Sequence, residues 1–488
     1  SHGAALVRKK ILFALMVGIL VAMPEREAAG CTAFSMAGRD GHVVCLSFDF
    51  QFGAGYVYAN QRNVQRDRFL LYAEKPVRWV SKYGSVTFNL IGRDWPHDGM
   101  NEAGLVVLSL GLDETRFPKP DDRPAIDENG WIQYQLDNSA TLADVVESAK
   151  RLRISGRSIG DSHFFLCDKS GAYMVIEYVD GESRVYEGDD LAYPVLANDT
   201  YERMSRYLAS QRKLPVEKRE PYRVASSCCR FLHVVDKIES PKPAAESVVD
   251  YAFGILADVR QRNSQYQVVY DPRNRQIEYR ALGSDLRMSL QFADLDFACG
   301  APALMAPIQS RQTRDMKITF VPQDKQAALD ALIAFNEKTF EYLPREVLAS
   351  MIETSAESKC VSAGQQNPQA VNDIFATLQG PARREVTFQS GQRSLALDFD
   401  VTLSTPASRE LSFALTVPND SALVPGRNVF LAPNPTTILK GSSSSRVTVI
   451  LLRNSPDRSV EAEVSIRLLS DEAPIRGADQ VLIRVRSE

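Results

Sequence analysis

The apolar and polar positions change their period several times along the chain. Ile11 to Met23, "ILFALMVGILVAM", is an unbroken apolar run behind the basic Arg8, Lys9 and Lys10. It is shorter than the roughly 20 residues of a membrane span and has the length of a signal-peptide core. From Cys31 the period is two. "CTAFSMAGRDGHVVCLSFDF" reads as two strands joined at Asp40-Gly41, a two-residue hairpin signal. A loop of those two residues alone sets Cys31 opposite Phe50 and Thr32 opposite Asp49. Much later, "DKQAALDALIAFNEKTFEYLPREVLASMIETSA" has apolar residues at helical spacing and predicts one or two helices. "GQQNPQA" then reads as a loop and "VNDIFATL" as a short helix. After "GPARRE" the alternation returns in "SLALDFDVTLS", "ELSFALTV", "SRVTVILLR", "SVEAEVSIRLLS" and "QVLIRVRS". Turn-rich segments separate these runs, and "GSSSS" (441–445) reads as a loop, so a small antiparallel β-sandwich of about 100 residues is expected.

The length of 488 residues exceeds what one compact domain usually holds. A content of 44% hydrophobic and 24% charged residues is that of a globular protein with a sizeable core. A net charge of -4 gives no electrostatic footprint for nucleic acid or an anionic membrane. The seven cysteines contain no C-x-x-C pair and the five histidines no H-E-x-x-H, which argues against a zinc site; no metal and no cofactor are expected. An odd cysteine count leaves at least one thiol without an intramolecular partner.

The junction between the leader and the first strand is "EREAAGCTAFSM". Ala28 and Gly30 stand third and first before Cys31, an A-x-A-like cleavage pattern. A cut there makes Cys31 the mature N-terminus and the protein an exported one. Cys31 can also be read as a buried thiol, a disulfide half or a lipid anchor; Ala28 and the polar "PERE" count against the last. A free α-amine has a pKa of about 7.7–8.0 and can serve as base for its own side chain's thiol. A deprotonated thiol is a strong nucleophile. Asp49 is placed to orient that amine, as a third group orients the base in a triad.

Three further stretches follow in order: "DGMNEAGLVVLSLG" (98–111), "YPVLANDTYERM" (193–204) and "SSCCRFLHV" (226–234). With Cys31, "WVSKYGSV" and "FFLCDKSGAYMVIEYVDG", they resemble the choloylglycine hydrolase family of N-terminal-nucleophile hydrolases. That family includes penicillin V acylases and bile salt hydrolases. The likeness runs from Cys31 to about Ile308 and is greatest to the Gram-negative branch. It implies an α+β fold, a four-layer αββα sandwich. It implies Cys31 as nucleophile and Asp49 near the α-amine. Asn198 and the Gly111 backbone N–H become oxyanion donors, and Arg230 the arginine supporting the nucleophile. Two departures matter. The family carries an arginine three residues before the aspartate, where "CLSFD" has Leu46. Phe50 stands where the branch tends to have tryptophan, which suggests an aromatic wall at an acyl pocket. Taken singly, Asn101, Gly104 and Gly111 read as turn residues, and the Asn198-Asp199-Thr200 sequon as accidental.

The expected division is a signal peptide (1–30), a hydrolase domain (31–310), a helical linker region (311–380) and a β-sandwich accessory domain (381–488). The expected activity is hydrolysis of a linear amide in an N-acyl compound of the penicillin V, conjugated bile salt or acyl-homoserine lactone type. The expected location is the periplasm, and the resemblance implies a homo-oligomer, a tetramer in the family. Two alternatives stand beside this. One is a member that binds acyl amides with catalysis impaired at Leu46. The other is a cell-surface protein working through its C-terminal sandwich.

Overall fold

The computed structural model describes residues 30–309 apart from 39–40, 52, 54, 68–75, 91, 94, 156–160 and 241–245, and beyond 309 the elements named below. The expected signal peptide lies outside the described residues. Strands β1 (Thr32–Ala37) and β2 (His42–Asp49) form the expected hairpin with a corrected register. Thr32 pairs with Ser47 and Ala37 with His42, so the pairing ends at Ala37 and His42, and Gly38 N–H donates to Gly41 O at 2.7 Å. Cys31 therefore comes level with Phe48 instead of Phe50. A shift of two residues keeps every side chain on its expected face.

This hairpin sits in a seven-stranded sheet, between Val195–Leu196 and Ser264–Asp271 and continuing through Gln276–Ala281, Met288–Gln291 and Met316–Lys317. A nine-stranded antiparallel sheet packs on it. Its order is Glu182–Glu187, Tyr173–Val179, Ser162–Cys167, Val106–Gly111, Pro96–Asn101, Ser85–Asn89, Tyr56–Asn60, Leu304–Pro307 and Val321–Pro322. The run "LVVLSL" is apolar apart from Ser109 because both its faces are covered. Val106, Leu108 and Leu110 join the core between the sheets, while Leu105 and Val107 meet Trp131, Ile132 and Leu136 of helix Glu128–Asn138 on the outside. Helices Ser227–Glu239 and Val248–Asp258 cover the outer face of the seven-stranded sheet. The result is the four-layer αββα sandwich.

Helix Lys325–Thr339 occupies the segment read as a helical linker. That segment is stitched to the sandwich rather than free of it. Val321–Pro322 extends the nine-stranded sheet, Lys359–Cys360 pairs with Gln65 and Val64, and Cys360 forms a disulfide with Cys299. The short helix expected at "VNDIFATL" is corrected: Ala376–Gln379 is a strand, and residues 371–375 lie outside the described residues. A strand is the better home for "ATLQ", since Ala376 and Leu378 alternate into a buried face. The C-terminal region forms a sandwich of a four-stranded and a five-stranded sheet around Phe399, Val449, Leu468 and Ile483. One pair breaks the antiparallel pattern, Arg383–Phe388 running parallel to Gln480–Ser487. Ser444 and Ser445, expected in a loop, begin the strand Ser444–Leu452.

Candidate active site

The site gathers at one end of the seven-stranded sheet. The Asp49 N–H points to Cys31 Sγ at 3.5 Å, and the thiol faces Asp49 O at 3.7 Å. By alternation Cys31, Leu46 and Phe48 face the second sheet, and Thr32, Ser47 and Asp49 face the helices. The Asp49 carboxylate is buried among donors. It accepts from Ser47 Oγ at 3.2 Å, Gln261 Nε2 at 2.7 Å and Ser264 Oγ in a short bond. Burial pushes it up to about 6 in spite of these donors and the nearby Arg230 charge. Burial, with the Asp49 charge beside it, pushes the Cys31 thiol up to about 12; the Asp49 N–H and Arg230 pull the other way.

Arg230 lies in the first turn of helix Ser227–Glu239, whose start Ser226 caps by accepting from Cys229 N–H. Its guanidinium is fully buried and donates from Nε to Thr32 Oγ1 (2.9 Å), from Nη1 to Val224 O (2.7 Å) and from Nη2 to Asn198 Oδ1 (2.8 Å) and Cys31 O (3.4 Å). Asn198 uses its other end, Nδ2, on Gly111 O at 2.9 Å. The backbone before and after it is held by side chains. His163 Nε2 reaches Ala197 O at 2.7 Å, and Tyr201 N–H donates at 2.7 Å to Glu177, which also faces His163. Gly111 is level with Ser162, and the next pair, Leu112 N–H to Asp161 O, is a hydrogen-bonded one. Gly111 thus turns its own N–H and C=O away from that strand, toward Asn198.

Cys31 is joined here to Gly30, so its nitrogen is a peptide amide. The Gly30 carbonyl accepts from Gln261 Nε2 at 2.6 Å. A Cβ on Gly30 would meet Arg230 Nη2 at 2.4 Å and Asn198 Oδ1 at 2.9 Å, so a side chain there requires both to shift.

The structure brings Cys31, Asp49, Asn198, Gly111 and Arg230 together from five segments of the chain. Leu46 is fully buried on the Cys31 face of β2, two residues deeper, between Ala33 and Val268. Phe50 is half-buried and stacks near Phe48 and Phe335. Sequence reasoning missed Gln261, Ser264, Ser47 and Thr32. The polar Ser47 two residues before Asp49 in an apolar strand was a usable signal; Gln261 had none. Asn101, the last residue of its strand, shapes the turn that Gly104 closes, as read, whereas Gly111 ends the strand Val106–Gly111 instead of lying in a turn. Asn101 Oδ1 accepts from Ala103 and Leu105 N–H, and Gly104 has φ 88° with Pro272 O where a Cβ would go.

Residues 31–218 match the model of the linear amide C-N hydrolases, choloylglycine hydrolase family. That segment is similar to the choloylglycine hydrolase family. The penicillin V acylase of Pectobacterium atrosepticum is 32% identical over 137 residues, 25% of this chain and 36% of that protein. The aligned part thus spans about a third of that relative's length. The structure of penicillin V acylase from Agrobacterium tumefaciens matches with a TM-score of 0.52 and 21% identity, covering 60% of this chain and 98% of that one. A variant of the conjugated bile acid hydrolase from Clostridium perfringens matches at 0.48 and 17%, covering 59% and 99%. The choloylglycine hydrolase family is one of linear amide hydrolases, and the αββα sandwich is the fold the Agrobacterium structure shares. Among the described residues no helix is long and apolar enough to cross a membrane.

Proposed function

We propose that this chain is an exported amide hydrolase that acts once Cys31 is its first residue. The observation that carries the reading is the convergence on Cys31 of Asp49, Arg230, Asn198 and Gly111. Release of residues 1–30 turns the Cys31 amide into an amine that can take the thiol proton. The thiolate attacks the carbonyl of a linear amide, forming a C–S bond. Asn198 Nδ2 and the Gly111 N–H turn to the resulting oxyanion, each such donor being worth about 2.7–4 kcal/mol. The protonated α-amine, held by Asp49, gives its proton to the leaving amine as the C–N bond breaks. Water, deprotonated by the same amine, then opens the thioester and regenerates the thiol. Arg230 supports the thiolate and fixes Asn198. The substrate is a small N-acyl compound, with penicillin V the first to test because both acylase relatives carry that name. The Cys299–Cys360 disulfide suits an oxidising compartment and supports a periplasmic location.

A protein beginning at Cys31, offered penicillin V, conjugated bile salts and acyl-homoserine lactones, tests this. Turnover lost in Cys31→Ala is expected; no turnover of any of them by the wild type, with an unreactive Cys31 thiol, overturns it. A second reading has its own observation. Leu46 places a fully buried alkyl group where the family has a guanidinium, leaving Arg230 to carry the positive charge that acts on Cys31. A protein that binds acyl amides without cleaving them follows from that, and the same panel separates the two.

A further inference from the structure

Helix Lys325–Thr339 belongs to the part of the chain beyond the family match of 31–218. Its buried positions are Ala328, Ala331, Leu332, Phe335 and Asn336. They recur every three or four residues and form one stripe turned to the protein. Phe335 lies parallel to Phe50, ring centroids 6.3 Å apart and planes 11° from each other. Phe50 directly follows Asp49, whose N–H meets Cys31 Sγ. Its other neighbour is Phe48, which in turn stacks with Tyr266 and meets the tilted ring of His97, at 5.0 Å each. At the helix start, Asp324 and Asp330 lie close enough to Tyr56 to act on its hydroxyl, and Ile352 packs where a Gly92 side chain would stand. The segment thus packs at residues 50 and 92, and its carboxylates act on Tyr56. It is tied down on both flanks, by the strand Val321–Pro322 and by the Cys299–Cys360 disulfide.

We propose that Phe335, carried by this disulfide-tethered segment, is the outer wall of the acyl pocket and limits which acyl groups reach Cys31. The inference rests on the amide-hydrolase reading above. An acyl group bonded to Cys31 Sγ extends past the rings of Phe48 and Phe50 to that of Phe335. Burial holds the adjoining His97 ring down at about 4, so it too is uncharged at neutral pH. Such a wall takes an apolar acyl group, flat or short, and stops a long chain at the ring of Phe335. One or two methylenes in such a pocket discriminate by about 10- to 200-fold.

The test uses the protein starting at Cys31 with Phe335→Ala and Phe335→Leu. The first readout is kcat/KM on N-acyl-homoserine lactones from butanoyl to dodecanoyl. The second is alkylation of Cys31 by N-methyl and N-decyl iodoacetamide, followed by intact mass, which needs no turnover. In Phe335→Ala the long-to-short ratio is expected to rise at least tenfold in both readouts, through KM in the first, and Phe335→Leu to fall between. Unchanged ratios in a variant with the wild-type melting temperature overturn the wall. Wild-type protein that is alkylated normally but turns nothing over removes the hydrolase reading, and the alkylation ratio then decides the wall alone. Failure of both reagents to label Cys31 removes both.

Discussion

Gln261 Nε2 donates to the Asp49 carboxylate at 2.7 Å and to the Gly30 carbonyl at 2.6 Å, joining the residue before the nucleophile to the acid beside it. A donor to the charged form of an acid favours that form. Asp49, already raised to about 6 by burial, has Gln261 among the groups holding it down. Gln261→Ala in the protein starting at Cys31 should therefore move Asp49 further up, by about 1 unit for a charge-assisted bond of about 1.5 kcal/mol. The acid limb of the kcat/KM against pH profile is expected to shift upward by that amount, with the largest loss of rate near pH 6 and recovery toward pH 8. An unmoved acid limb contradicts this coupling.

The close approach of Arg230 and Asn198 to residue 30 gives a prediction about the uncleaved chain. Gly30→Ala puts a methyl group against Arg230 Nη2 and Asn198 Oδ1, both fixed by their own hydrogen bonds. Overpacking of a buried site costs about 1–3 kcal/mol. The melting temperature of the uncleaved chain should fall, with Arg230 displaced from Thr32 and Asn198. A protein starting at Cys31 contains no residue 30, so its stability is the control. Equal melting temperatures for the uncleaved wild type and the uncleaved Gly30→Ala variant would show that Arg230 yields without cost.

Much of this site was legible because its residues come in local patterns. Cys31 and Asp49 lie in a hairpin whose cross-strand pairing puts them near one another, and the register error of two residues left the faces unchanged. Asn198 and Arg230 were reached through motif resemblance, since nothing local links them to β1. Gln261 and Phe335 were not legible. Gln261 follows a helix in a polar loop, and its role arises from where residues 30 and 49 happen to arrive. Phe335 sits in a helix whose periodicity was plain, but periodicity does not say which surface covers the stripe. The helix expected at "VNDIFATL" failed because the burial of Ala376 and Leu378 in a sheet outweighs the helical spacing of the longer window. The partner of Cys360 was closed to the sequence because 61 residues separate it from Cys299.

Asp98 provides a pH test that does not depend on catalysis. Its carboxylate is fully buried between the sheets and accepts short bonds from Tyr266 and Tyr270. Burial raises it from 3.8 to about 7, the two hydroxyls opposing the shift. The folded state thus binds the proton more tightly than the unfolded chain. Its charge costs nothing below pH 4, and the cost grows as pH rises to about 7, reaching about 4 kcal/mol above it. Asp98→Asn has no proton to lose there. The stability difference, wild type minus Asp98→Asn, should fall between pH 4 and pH 7 and level off above. Melting temperatures of both proteins across that range check it, and a difference that stays flat or rises with pH means Asp98 is not raised.

The tethered segment makes a final prediction about stability and access together. The Cys299–Cys360 bond closes a 61-residue loop that includes helix Lys325–Thr339. In the chain-entropy view such a cross-link stabilises by about 4 kcal/mol, by restricting the unfolded chain. Cys360→Ser should lower the stability of the folded protein by that order in denaturant titration, and dithiothreitol should do the same to the wild type. The loss is confined to the segment's attachment, because β1, β2 and the strand Ser264–Asp271 pair with one another and not with the strand that carries Cys360. The Asp49 acid limb of the pH profile is therefore expected to stay in place while the melting transition broadens or splits, the segment releasing before the αββα core. A single, unshifted transition in Cys360→Ser would mean that the strand pairs at 321–322 and 359–360, together with the buried stripe around Phe335, hold the segment without the bond.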